Sequence, residues 1–108
     1  MNGGIVLMTT IKQTSSFIRN LKRLKKKHFP IELIKGCVIA ILENDEKVLT
    51  KIKDHSLKGK WQGYREFHPS RYGNYGKAFD NWIVIYKYKN DEFLFILVDV
   101  GSHEILNG

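Results

Sequence analysis

Trp82-Ile83-Val84-Ile85-Tyr86-Lys87-Tyr88, followed by Asn90-Asp91 and then Phe93-Leu94-Phe95-Ile96-Leu97-Val98-Asp99-Val100, decides the fold of this chain. Both runs are rich in β-branched and aromatic residues, which suit a pleated, half-buried surface. Asn-Asp between them supplies a turn. The two runs therefore read as an antiparallel hairpin. Moving toward the N-terminus, Ser70 to Phe79 reads as a loop with Gly73, Gly76 and the aromatics Tyr72, Tyr75 and Phe79, and Tyr64 to His68 reads as a short strand. Asn44 to Gly63 is polar and irregular. Before it, Ile31, Ile34, Val38, Ile41 and Leu42 share one face of a helix whose first turn follows Pro30. Phe17, Leu21, Leu24 and His28, at spacings of four, three and four, form the apolar stripe of an earlier helix, with Thr14, Ser15 or Ser16 as its cap. Ile5 to Ile11 is β-branched and reads as a first strand. After Val100, Gly101-Ser102-His103 turns into a short tail. Helices followed by clustered strands indicate an α+β fold, with an αα-hairpin packed on one face of an antiparallel sheet of about four to five strands.

The 108 residues read as one domain, 1–108. Met8 offers an alternative start, which would make the first seven residues foreign to the native chain; residues 1–10 are expected to be an N-terminal extension plus an edge strand. Lys and Arg outnumber Asp and Glu 18 to 11, a net charge of +7 that favours nucleic acid, ribosome surface, acidic proteins or anionic membrane as partners. A merely solvated basic surface is the plainer alternative. The single cysteine, Cys37, lies in an apolar stretch, which rules out an internal disulfide and a cysteine-built zinc site. Met1 to Thr10 lacks the charged start of a signal peptide, and no run approaches the roughly 18–20 apolar residues of a membrane span. The expectation is a cytoplasmic protein without membrane attachment.

His55, His68 and His103 lie outside the helices, each beside a turn or at a strand end. Histidine ordinarily titrates near ~6.5, so it can give and take protons at neutral pH. RNA can be cut without metal: a base deprotonates the ribose 2′-hydroxyl, the oxygen attacks phosphorus, and an acid protonates the departing 5′-oxygen. Cations stabilise the charge that develops on phosphate. The three histidines, Asp80 as a carboxylate to orient one of them, and Lys58, Lys60 and Arg65 supply those parts. On the residues alone, surface histidines or satisfied core groups fit as well. An open three-histidine zinc site is weaker, because no His-Glu-x-x-His or paired spacing is present. The expectation is no metal and no cofactor.

The stretch Lys53-Asp54-His55-Ser56-Leu57-Lys58-Gly59-Lys60-Trp61-Gln62-Gly63-Tyr64-Arg65-Glu66-Phe67-His68, the strand Asn81 to Lys87 and the terminal Gly101-Ser102-His103 together resemble the YafQ-type toxins, a branch of the RelE superfamily. With the basic helical hairpin, the resemblance runs from about Ile11 to the end. It implies a RelE-like fold and a type II toxin–antitoxin toxin. The implied activity is a ribosome-dependent, metal-independent endoribonuclease that cleaves mRNA in the A site and inhibits translation. It implies an active site lined by His55, His68 and His103, with His103 as the acid and the other two as base or phosphate ligands. It also implies a cognate antitoxin as partner, ribosome and mRNA as targets, and operator DNA reached only through the antitoxin. The basic helix residues Lys22, Arg23, Lys25, Lys26 and Lys27 would dock on ribosomal RNA, the alternative being a solvated helix face.

Two departures stand out. The family places an aspartate directly before the strand's tryptophan; here Asn81 holds that position and Asp80 precedes it. A one-residue slip in a strand reverses the facing of a side chain. Asn107 replaces an aromatic before the final glycine. The loop Ser70 to Phe79 is longer than usual, and its Arg71, Lys77, Tyr72 and Tyr75 either touch RNA by charge and stacking or simply pack. Asn81 and Asn107 complete the set of expected RNA contacts, while Trp61 and Trp82 read as core. Two further readings keep the fold and change the activity: a ParE-like gyrase-inhibiting toxin, and a catalytically inactive member that binds RNA or ribosome.

Overall fold

A mixed five-stranded sheet in the order β1-β5-β4-β3-β2 forms the frame. Its strands are β1 (Thr10–Gln13), β2 (His55–Ser56), β3 (Arg65–Phe67), β4 (Trp82–Lys89) and β5 (Leu94–Ser102). Three helices join them: α1 (Ser15–Lys26), α2 (Leu33–Leu42) and α3 (Glu46–Lys51). The computed structural model describes residues 8–75 and 77–107. The expected hairpin is the centre of the sheet, β4 against β5. Phe93 itself is left-handed (φ 50°) and closes the Asn90–Glu92 turn rather than opening the strand.

The sheet is not wholly antiparallel, as the sequence reading had it. β1 pairs with β5 in parallel, Thr10 opposite Leu94 through Gln13 opposite Leu97. The chain leaves β1 through α1, and the rest of the sheet is inserted before β5 arrives beside it, so no hairpin links the two. β1 is also shorter than expected, beginning at Thr10; residues 5–7 lie outside those described.

Trp82, Val84 and Tyr86 of β4, Phe67 of β3 and Phe95, Leu97 and Val100 of β5 form one buried cluster with Phe17 of α1 and Ile34, Cys37, Val38, Ile41 and Leu42 of α2. Burial of each large side chain contributes about 1.5–3 kcal/mol. Burial also pushes the Cys37 thiol up to about 12. The switch from Leu97 to Val100 skips a residue because the register slips between Ile85 and Tyr86: Ile85 faces Asp99 and Tyr86 faces Leu97. This bulge leaves Val98 unmatched. Its carbonyl accepts from Thr14 Oγ1, the same oxygen that caps α1 by accepting from Phe17 N at 3.0 Å. One threonine thus joins the start of α1 to the irregular point of β5.

Leu21 and Leu24 pack on the core as the stripe requires. His28 does not: it lies past the helix end, left-handed (φ 66°) and exposed. Helix α2 begins at Leu33, after a turn in which Leu33 N bonds Pro30 O at 3.1 Å. Its Gly36 lets the Tyr72 ring lie against the helix, since a Cβ there would come within 2.4 Å of that ring and displace it. The stretch expected to be irregular holds α3, capped by Asp45, whose side chain accepts from Val48 N at 3.3 Å. No helix among the described residues is long and apolar enough to cross a membrane.

Candidate active site

Side chains alternate across a pleated sheet. With Phe67 in the core, Glu66 faces away from the helices, beside Ile85 on β4 and opposite His55 on β2. His68, two residues on, falls on the same side, its backbone N–H held by Ile52 O at 2.8 Å. His103 follows the end of β5 directly.

The result is a convergence on one oxygen. Glu66 Oε2 lies 3.4 Å from His55 Nε2, 3.4 Å from His68 Nε2 and 3.5 Å from His103 Nε2. Each imidazole is pinned from its far side by an oxygen. His55 Nδ1 donates to Lys53 O at 2.8 Å, His68 Nδ1 to Asp80 O at 3.2 Å, and His103 Nδ1 to Asn81 Oδ1 at 2.8 Å. An oxygen acceptor holds a proton on Nδ1, so in all three rings Nε2 is the position left to exchange a proton. The His68 and His103 rings lie 5.3 Å apart.

Exposure divides the set. Glu66 and His68 side chains are 3% and 11% exposed, His55 and His103 52% and 42%. Burial pushes the Glu66 carboxyl upward, but the His68 hydrogen bond and the charges of His55, His103 and His68 outweigh it and hold the group below the ordinary carboxylate value. Its second oxygen, Oε1, is buried with no hydrogen-bond partner among the described residues.

Glu66 was missed by the sequence reading, which assigned the orienting carboxylate to Asp80. The structure turns Asp80 elsewhere. Its carboxylate is held by Arg71 at 2.7 and 2.6 Å, and that bidentate pair keeps it below its usual value. Only its backbone carbonyl meets a histidine. Asn81, in the position where the resembled family has aspartate, is the side chain on His103. The signal for Glu66 was available in the two-residue spacing to His68, which places both on one face of a strand.

The expected cations separate as well. Arg65 is paired with Asp54 at 2.8 Å, and its Nε reaches Tyr86 Oη at 3.2 Å. The Tyr86 hydroxyl also donates to Asp54. Arg71 is engaged with Asp80. Lys58, Lys60, Lys77 and Asn107 are exposed, as are Lys22, Arg23, Lys25 and Lys26 along α1 and Lys27 at its C-cap. Tyr72 covers Gly36, and Tyr75 packs edge-on to Phe79 at 5.7 Å, yet both remain about two-fifths exposed, at 38% and 41%. Trp82 is core; Trp61 is half-buried and donates to Leu106 O at 2.8 Å, tying its turn to the C-terminal one.

Glu66, His68 and His103 each offer a ligand atom, all within 4.8 Å of one another, so this set can also close on a transition-metal ion.

The profile of a family described as "Bacterial toxin of type II toxin-antitoxin system, YafQ" matches residues 9–108. The mRNA interferase toxin YafQ of Escherichia coli K12 is 25% identical over 103 residues, covering 95% of this chain and all of that protein. In the crystal structure of the E. coli DinJ-YafQ complex, the matched chain is 26% identical with a TM-score of 0.70, over 93% of this chain and 99% of that one. A metal-bound toxin from Helicobacter pylori is 31% identical with a TM-score of 0.71, over 91% of this chain and 98% of its own.

Proposed function

This chain belongs to the YafQ family of bacterial toxins of type II toxin–antitoxin systems, and from that premise we propose that it is a ribosome-dependent, metal-independent endoribonuclease that cleaves mRNA in the A site and is silenced by a cognate antitoxin. The observation that carries the reading is the convergence of three histidine Nε2 atoms on Glu66 Oε2, each ring held by an oxygen at Nδ1. Such a cluster offers a proton acceptor, a proton donor and positive charge within reach of a single phosphate. The mRNA interferase name of the E. coli relative and the DinJ complex of its structure support the substrate and the partner.

In this mechanism an imidazole Nε2 takes the proton of the ribose 2′-hydroxyl. The 2′-oxygen attacks the adjacent phosphorus, and the bond to the 5′-oxygen breaks as a second imidazolium protonates it. The products are a 2′,3′-cyclic phosphate and a 5′-hydroxyl. His103 is the acid. The greater exposure of His55 favours it over His68 as the base, leaving His68 and Glu66 to hold the charged rings in place. Lys58, Lys60 and Lys77 are exposed cations suited to the RNA backbone, and the lysines of α1 to ribosomal RNA.

The test is primer extension on a defined mRNA in a reconstituted translation reaction, with and without ribosomes, beside a His103→Ala variant. A chelator selective for zinc and copper over magnesium is added to one arm. In-frame cuts that need ribosomes, survive the chelator and vanish in the variant are the expected result. Intact mRNA in every lane from folded protein would overturn the ribonuclease reading and direct attention to gyrase.

A further inference from the structure

On the helix side of the sheet's end lies a pocket of about 450 Å³, within the range of roughly 300–1,000 Å³ typical of small-ligand sites. Its apolar walls include Phe29, Phe79 and Trp82, and its rim carries Arg23 of α1 and Lys27, which caps that helix. Asn81 belongs to it too, and is the residue whose Oδ1 holds His103. The pocket and the histidine cluster therefore meet at one side chain.

Trp82 is 2% exposed, and its indole Nε1 has no hydrogen-bond partner among the described residues. A buried donor without a partner is costly. The indole also lines the pocket, so its N–H resonance reports on what binds there. Phe29 and Phe79 lie 4.7 Å apart, and Phe29 meets Trp82 edge-on at 5.5 Å, giving aromatic surface for a flat ring. Arg23 and Lys27 add positive charge where such a ring would carry a phosphate.

We infer that this pocket is a nucleobase site, seating a base of the RNA strand whose phosphate lies at His103. Aromatic walls and a basic rim, continuous through Asn81 with the histidine cluster, are a recognition set for a nucleotide. The inference rests on the ribonuclease reading for its substrate. It adds that the bound base sets where the strand is cut.

The experiment is a titration of the intact, ¹⁵N-labelled protein with each of the four nucleoside 3′-monophosphates, watching the two indole N–H resonances, assigned with a Trp61→Phe variant. The Trp82 resonance is expected to move saturably, with affinities that differ among the bases, while the Trp61 resonance, bonded to Leu106 O, stays. Arg23→Ala, on the exposed rim, should weaken binding about tenfold. Ile105→Trp, which fills the pocket, should abolish the shift and change the cut-site preference on mRNA. A Trp82 resonance that none of the nucleotides moves at tens of millimolar overturns the inference even if mRNA is cut. A saturable shift with uncut mRNA keeps the nucleotide site and removes the ribonuclease reading. Unaltered cut sites in folded Ile105→Trp also overturn it.

Discussion

His103 and Asn81 are joined twice: the imidazole Nδ1 and the backbone N–H of His103 both reach Asn81 Oδ1, at 2.8 and 3.3 Å. An uncharged amide orients the ring without titrating. Asn81 is in this sense a positioning residue.

Asn81→Ala should lower kcat about 10–100-fold with little change in KM, because the ring loses the partner that fixes its tautomer. Asn81→Asp should keep activity and move the limb of the pH–rate profile governed by the acid to higher pH, since a carboxylate favours the protonated ring. Steady-state cleavage across pH reads both. Wild-type kcat in the alanine variant would remove Asn81 from the site.

Glu66 predicts an acid-dependent stability. Its folded value lies below the ordinary 4.5, so its contribution is complete above that pH and is lost as pH falls through the folded value. The urea midpoint of the native chain should therefore drop more between about pH 5 and pH 3 than that of Glu66→Gln. Parallel curves would show that the three histidines do not favour the carboxylate. The same variant should cut mRNA at least about tenfold more slowly, as the rings lose their common partner.

Zinc should inhibit. A metal on Glu66, His68 and His103 would occupy the nitrogen lone pairs that proton transfer needs, their ligand atoms lying within 4.8 Å of one another. Micromolar zinc is expected to stop mRNA cleavage and a zinc-selective chelator to restore it. Stimulation by zinc would instead make the metal part of the chemistry.

Tyr86, Asp54 and Arg65 form a partly buried network whose loss is structural. Tyr86 is 1% exposed, and burial, reinforced by the Asp54 hydrogen bond, pushes its hydroxyl well above the usual tyrosine range. Asp54→Ala leaves that hydroxyl and the Arg65 guanidinium short of their partner and should cost about 1–3 kcal/mol, Tyr86→Phe about 1 kcal/mol. The double variant should cost less than the sum, because the two share one interaction. Strict additivity in urea unfolding would separate them.

Much of the frame was legible in the residues alone. The runs Trp82–Tyr88 and Phe93–Val100 are dense in β-branched and aromatic residues, and the stripe Phe17, Leu21, Leu24 carries the helical period. Helix α3 was not legible: it has six residues and only Val48 and Leu49 pack inward, although its Asp45 cap is a readable start. His55, His68 and His103 were singled out from their positions at turns and strand ends and from the resemblance.

By itself, the sequence determined the central hairpin and the first two helices, because strand-forming composition and helical stripes are local properties of a chain and act before any long-range contact. Only the tertiary structure decided that β1 runs parallel to β5, that Glu66 rather than Asp80 gathers the histidines, and that Arg65 and Arg71 are committed to carboxylates. Those outcomes join residues up to 84 positions apart, as Thr14 is from Val98. They depend on strand register and on competition between charged partners, which no local pattern records.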